Sequence, residues 1–403
     1  MKRKRMKVLL IDSVCKYGST GEITYNLYNY VNTQGEEAAV FYGRGEVIRE
    51  NNIFKFGLDW ETYLHALLAR ITGYNGCFSY FSTKKLIEKI DYFKPDVIHL
   101  HELQAYFVNI RPLIEYIKEK HIPVVWTFHC EYMYTGKCGH AASCENWKHE
   151  CGNCPAVREY PKSIWFDRTR KMFLDKKKLL RDLDAVYITP SAFFADRVKK
   201  SFLKDKRIET VHNGINTDIY YSRMKGRIRS ELGIPDGKKI ILSVAPHILS
   251  ESKGGNWLIE LAKRDRDKSI EYVLVGDGEK ITKRSDNITV VPLIRDKNRL
   301  AEIYSEASCF VLCSQHETFS LTCAEALCCG VPVAGFKCDA PETIFKKPYA
   351  WFVDYGDLES LKLAIREQMV LDNKMVGKYG RAHFANAIMC SSYMKIYREL
   401  AGE

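Results

Sequence analysis

The sequence predicts an α/β protein of two domains, each a sheet of short buried strands interleaved with helices. Three observations predict it. At 403 residues the chain is too long for one ordinary core and suits two domains of roughly 180–200 residues. Short apolar runs, such as Lys7 to Asp12, Lys239 to Ala245 and Ala307 to Cys313, recur along it and lead through polar or glycine turns into helix-period patterns. Near the middle, Thr210 to Tyr220 carries Asn213-Gly214, a strong turn signal between the strand-and-helix patterns of the two halves.

The composition narrows the class. Hydrophobic content of 46% and charged content of 28% are globular values. The start, Met1 to Lys7, is basic, but the apolar run behind it stops at Asp12, too short for a signal-peptide core. No apolar stretch approaches the roughly 20 residues that span a bilayer. A cytoplasmic protein is expected, so fourteen cysteines do not read as a disulfide framework. The net charge of +11 is uneven: Arg158 to Arg207 holds fifteen Lys or Arg against seven Asp or Glu. Within it, Ser163 to Asp184 predicts a helix with an apolar stripe and a basic side. That helix either rests on anionic lipid or faces the core with its basic side in water.

In chain order, Lys7 to Asp12 is a first strand, followed by the turn Cys15 to Gly21 and a helix with Ile23, Leu27, Tyr30 and Val31 on one stripe. A strand, glycine turn and helix near the chain start is how Rossmann-like domains begin. The turn is not Gly-x-Gly-x-x-Gly, so a dinucleotide site is not supported. Asp96 to His101 is another strand with His99 and His101 on one face; without a close third ligand they suit a structural or pocket-edge role. Pro123 to His129 ends in a histidine at the rim where α/β sheets place ligands. Cys130 to Cys154 holds five cysteines. Cys151 and Cys154 form a tight pair, and with Cys138 and Cys144 they predict a structural four-thiolate zinc site, His140 being a substitute ligand. Reduced buried thiols and a redox pair are the alternatives. A catalytic zinc is disfavoured because four thiolates leave no open position.

In the second half, Tyr272 to Gly278 is a strand ending in a glycine turn and Ile288 to Pro292 a further strand. Asp265-Arg-Asp267 mimics a metal-binding pair but reads as solvated surface. The richest stretch is Ser314 to Phe336. A buried strand delivers Glu317 to a turn, a helix from about Ser320 carries Glu325, Gly330 and Pro332 end it, and Val331 to Phe336 is the next strand. A helix mouth with carboxylates beside it suits a ligand bearing a phosphate and sugar hydroxyls: amides take the phosphate, carboxylates the hydroxyls.

Glu317 and Glu325 with Ala-Leu-Cys-Cys-Gly-Val-Pro-Val behind them resemble the donor-site signature of retaining nucleotide-sugar glycosyltransferases of family 4. The resemblance runs along essentially the whole chain. It implies the GT-B fold: two Rossmann-like domains facing across a cleft, here 1–212 with a cysteine-rich insertion at 130–155, 213–382, and a C-terminal helix 383–403 returning to the first domain. It implies roles for residues that match. Gly18, Ser19, Thr20 and Gly21 match the glycine turn over the donor phosphate, His129 the histidine that bonds the donor sugar, and Lys253 the lysine on the diphosphate. Glu317 would hold the sugar, Glu325 the ribose, and Phe319, Ser320, Leu321 and Gly276 would line the donor. Three places depart from the pattern. Cys130 stands where an aspartate is usual, the turn Ile248 to Ser252 lacks the arginine that partners the lysine, and Phe336 to Glu342 keeps Pro341 and Glu342 without the glycines. Arg295 is the candidate replacement for the arginine. The insertion, with Thr-Gly-x-Cys and Cys-Gly-x-Cys-Pro, resembles a bacterial exopolysaccharide branch. The implied activity is transfer of a sugar from a UDP- or GDP-linked donor to a glycan or lipid-linked acceptor, with retention and without metal at the chemistry. Peripheral contact with the inner membrane surface is expected, and no nucleic acid. Three rivals remain: a sugar-nucleotide epimerase of similar fold, a basic zinc-containing nucleic-acid binder, and a degenerate, non-catalytic member.

Overall fold

The protein is described from a computed structural model over residues 4–224, 226–278 and 280–402. Residues 1–3 of the basic start lie outside the described residues. The chain divides into two units, 1–212 with 390–403 and 213–389.

The first unit runs β1 (Lys7–Asp12), α1 (Gly18–Thr33), β2 (Glu37–Tyr42), β3 (Ile53–Lys55), α2 (Asp59–Thr72), α3 (Tyr80–Phe93), β4 (Val97–Leu100), α4 (Ile110–Glu119), β5 (Val124–Thr127), α5 (Thr169–Arg181), β6 (Ala185–Thr189), α6 (Ala192–Lys199) and β7 (Ile208–Thr210). Its sheet is parallel, in the order β3-β2-β1-β4-β5-β6-β7. Strands buried on both faces read as apolar runs, which is why β1, β4 and β5 carry little alternation. Ser191 caps α6, its Oγ accepting the Phe194 N–H at 3.2 Å.

The second unit runs α7 (Arg227–Leu232), β8 (Lys239–Val244), α8 (Gly255–Arg264), β9 (Ile270–Val275), β10 (Thr282–Ser285), β11 (Ile288–Val291), α9 (Lys297–Glu306), β12 (Cys309–Leu312), α10 (Leu321–Cys328), β13 (Val333–Phe336), α11 (Pro341–Ile344), β14 (Ala350–Val353), α12 (Leu358–Gln368), α13 (Asn373–Phe384) and the opening of α14 (Asn386–Ala401). Its order is β10-β11-β9-β8-β12-β13-β14, parallel except for β10. In each sheet the strand order reverses once, between β1 and β4 and between β8 and β12. In such sheets the crevice beyond the carboxyl ends at the reversal is where ligands bind.

Three readings of the sequence need correction. The C-terminal helix does not run unbroken from 383: Ala385 is extended and pairs with Ile215, which separates α13 from α14. The basic helix starts at Thr169, not Ser163, so Trp165 lies in a loop. Met172, Phe173, Lys176 and Leu180 of that helix are buried, which makes it a core-facing element. Asp265 and Asp267 are not free surface carboxylates. Asp265 is buried and accepts from the Tyr272 hydroxyl at 2.7 Å, and Arg366 clamps both carboxylates.

Candidate active site

In the second unit, β8 and β12 flank the reversal, and the loop after each delivers a charged group. Lys253, from the loop after β8, donates to Glu317 Oε1, from the loop after β12, at 2.8 Å. Both side chains are partly exposed, at 32% and 20%. The backbone fixes them. The Glu317 N–H donates to Cys338 O at 3.0 Å and its carbonyl accepts from Ala340 N–H at 3.2 Å, tying the loop to that after β13. Gly254 is left-handed (φ +67°), and a Cβ there would stand 2.2 Å from Cys313 O. Only glycine lets the turn after Lys253 pass so close to the end of β12.

Ser320 caps α10 from a left-handed conformation (φ +77°), its Oγ accepting the Cys323 N–H at a long 3.4 Å. A β-substituted residue held there stores strain of the kind found at ligand sites. The mouth of α10 thus adjoins Glu317, as an anion site requires. Glu325, on α10, accepts from the buried Tyr304 hydroxyl at 2.9 Å, which orients its carboxylate. Phe319 departs from its expected place: its ring is buried against Phe345 and Phe384, so only its backbone can line a ligand. Leu321 opens α10 half-buried. Gly276 ends β9 with φ +134°, and a Cβ would meet Ala245 O at 1.7 Å, so backbone packing alone demands glycine there. Arg295 is exposed in the loop between β11 and α9.

In the first unit the ends of β1, β4 and β5 gather a second set. Gly18, Ser19, Thr20 and Gly21 form the first turn of α1 rather than a loop before it. A Cβ on Gly21 would press on Val14 and the Cys15 amide at 3.0–3.1 Å. Asp12 ends β1 fully buried, accepting from the Ser13 N–H at 2.6 Å and the Thr24 hydroxyl at 2.8 Å. Burial, with Glu102 nearby, pushes its carboxyl up to about 7. Sequence reading missed it as a site residue, although a carboxylate closing an apolar strand was a usable signal.

His99 is a structural histidine, held between Tyr397 OH at 2.6 Å and Thr127 Oγ1 at 2.8 Å. His101 and His129 stack with planes 9° apart, Nδ1 to Nε2 at 3.1 Å. Burial lowers both, His129 to about 4, so the pair is neutral at pH 7 and shares one proton across that bond. Cys130, standing in place of an aspartate, donates its S–H to Glu102 Oε2 at 3.0 Å. A carboxylate therefore reaches this neighbourhood from the end of β4 instead of β5. Glu102 went unnoticed in the sequence because nothing local distinguishes it.

Cys138, Cys144, Cys151 and Cys154 line one cavity of about 20 Å³ over Trp147. All are free thiols. The Gly136 N–H donates to Cys151 Sγ at 3.1 Å, and the Cys138 thiol donates to Cys154, whose own thiol is lowered to about 7. Among the described residues no three His, Cys, Asp or Glu are placed to hold a metal ion. The four thiols nonetheless share one cavity, as the spacing led one to expect of a common site.

Two doubly wound domains, with a lysine, carboxylates and a helix mouth at one reversal, define a GT-B protein. The comparisons agree. The Glyco_transf_4 model, "Glycosyltransferase Family 4", matches residues 21–219, and "Glycosyl transferases group 1" matches 224–383. The chain belongs to the family 4, group 1 glycosyltransferases of GT-B fold. It is 26% identical over 321 residues to WcaC of Escherichia coli (strain K12), assigned as a colanic acid biosynthesis glycosyl transferase, covering 76% of this chain and 77% of that one. Among solved structures, sucrose-phosphate synthase of Thermosynechococcus elongatus superposes with TM-score 0.66 at 17% identity, covering 98% and 99% of the two chains. Anabaena HepE in complex with UDP-glucose gives 0.66 at 12%, covering 98% and 100%.

Proposed function

We propose that this glycosyltransferase moves a sugar from a nucleotide-diphosphate sugar, UDP- or GDP-linked, to a glycan or lipid-linked acceptor, retaining the anomeric configuration, in cell-surface polysaccharide synthesis. The observation that carries it is the 2.8 Å Lys253–Glu317 pair beside the mouth of α10. Departure of a diphosphate develops negative charge, which an ammonium and helix amides stabilise. Each well-placed donor is worth on the order of 3 kcal/mol of barrier. Glu317 is the group for sugar hydroxyls and Glu325 for the ribose, while His129 supplies a neutral hydrogen-bonding ring from the first unit. In retaining transfer of this type the departing phosphate takes the acceptor's proton, so no protein base is named. The colanic acid relative supports the polysaccharide role, and HepE, solved with UDP-glucose, supports the donor class. A thermal-shift screen over UDP-, GDP- and ADP-sugars tests the donor, and NMR of the product anomer tests retention. Altered sugar released from donor alone would point to an epimerase instead.

A membrane-surface setting is part of the proposal, and α2 supports it better than the basic helix α5. Trp60, Tyr63, Leu64 and Leu67, at i, i+3, i+4 and i+7, are 44–75% exposed. The Trp60 ring lies 6.0 Å from exposed Phe81. Exposed Ile164, Trp165 and Phe166 adjoin the end of α2 through the Ile164 N–H to Arg70 O bond, and exposed Arg70, Lys162 and Arg168 surround them. An aromatic face rimmed with cations suits anionic lipid. No described helix is long and apolar enough to cross a membrane. Structural zinc at Cys138, Cys144, Cys151 and Cys154 stays a proposal resting on their shared cavity, tested by metal analysis of the purified chain.

A further inference from the structure

We infer that a separate cavity in the first unit binds a small anionic polyol, a sugar unit bearing a phosphate or a carboxylate. The cavity, about 370 Å³, is walled by the turn 74–77, the first turn of α4 and one face of α5. That is the size of a pocket for a monosaccharide.

Its inner end is polar and unsatisfied. Tyr132 is fully buried, yet its hydroxyl has no hydrogen-bond partner, and both side-chain amide atoms of Asn75 are buried without one. Both residues line this cavity. Buried polar groups are nearly always paired, so three unpaired atoms at one cavity mark a place where something else bonds. A hydroxyl both donates and accepts, as the phenol and the amide together require. The turn is held clear of the space: the Gly76 N–H goes to His65 Nε2 at 3.1 Å and its carbonyl accepts from the Ile110 N–H at 2.9 Å.

The outer end is cationic. Arg111 and Lys171 stand at the mouth and share one carboxylate, Asp175, at 3.5 and 2.7 Å. Two cations on one carboxylate leave a net positive charge, and α4 presents its positive end to the same space. Behind them the amine of buried Lys176 donates to the carbonyls of Tyr132, Thr135 and Gly136, and burial lowers it to about 7, so the standing positive charge at the mouth comes from Arg111 and Lys171. Tyr74, Pro112 and Met172 give apolar walls for the C–H faces of a sugar ring.

The inference deepens the acceptor side of the proposed function and rests on that reading only for calling the ligand part of an acceptor; the binding is independent of it. Full-length protein is titrated by calorimetry with glucose 6-phosphate, glucuronate, glucose and inorganic phosphate. At least one of the acids should bind ten times more tightly than either glucose or phosphate alone. Tyr132→Phe should weaken it at least fivefold while leaving Tm unchanged or raised, since the lost hydroxyl had no partner, and Asn75→Ala supplies the same readout should Tyr132→Phe not fold. Arg111→Gln with Lys171→Gln should abolish the preference for acids over glucose. Binding should survive Glu317→Gln, which separates this cavity from the donor site. Phosphate binding as well as glucose 6-phosphate, glucose binding as well as the acids, or affinity unmoved by Tyr132→Phe would each overturn the inference.

Discussion

Lys253 and Glu317 occupy each other, and that makes their separation informative. A diphosphate must draw the ammonium away from the carboxylate. The pair is partly exposed, with side chains 32% and 20% accessible, so its own worth is about 0.5–1 kcal/mol. Glu317→Gln removes that competition, and nucleoside diphosphate should bind the variant as tightly as the parent or about two- to fivefold tighter. Sugar transfer should fall by roughly two to three orders of magnitude in the same variant, because the contact needed in the transition state is lost. Lys253→Ala should behave differently, weakening diphosphate binding by about 1.5–3 kcal/mol, the range of a hydrogen bond to a charged group. Calorimetry with the preferred nucleoside diphosphate, beside initial rates with the corresponding donor, measures both. Tenfold weaker diphosphate binding in Glu317→Gln, or none lost in Lys253→Ala, would refute the assignment.

Three further outcomes are expected. His65 is buried, donating through Nδ1 to Ser79 and accepting the Gly76 N–H at Nε2, and burial lowers it to about 4. The unfolded chain takes that proton near 6.5, so the stability from neutral His65, roughly 3 kcal/mol, is full above pH 6.5 and lost as pH falls towards 4. A pH series of Tm that is flatter for His65→Gln than for the parent checks it. Trp60→Ser with Tyr63→Ser and Leu67→Ser should abolish co-flotation with anionic vesicles while changing stability by only about 0.5 kcal/mol, and parental binding should weaken with salt. Gly254→Ala should cost about 2 kcal/mol or more, read as a lowered Tm, because φ +67° and the 2.2 Å approach to Cys313 O both oppose a methyl group.

Much of the strand–turn–helix around Glu317 and Glu325 was legible because its signals are local. The strand into Glu317, the helix after Ser320 and its end at Gly330 are all set by neighbours within a few residues. The first unit was harder to read. Glu102 reaches Cys130 from another strand, and His101 meets His129 across 28 positions. Basic spacing drew attention to α5, whereas the exposed aromatic face is on α2, where apolar periodicity is the same whether a stripe faces core or solvent.

By itself the sequence determined the two α/β domains and the strand–turn–helix that carries Glu317 and Glu325, since burial on both strand faces and the geometry of a helix mouth are encoded in residue order. Only the tertiary structure decided which stripe stays exposed, that Lys253 meets Glu317 across 64 positions, and that Tyr132 and Asn75 share one cavity. Pairing between distant segments depends on how whole strands and helices pack, and no local pattern in the chain carries it.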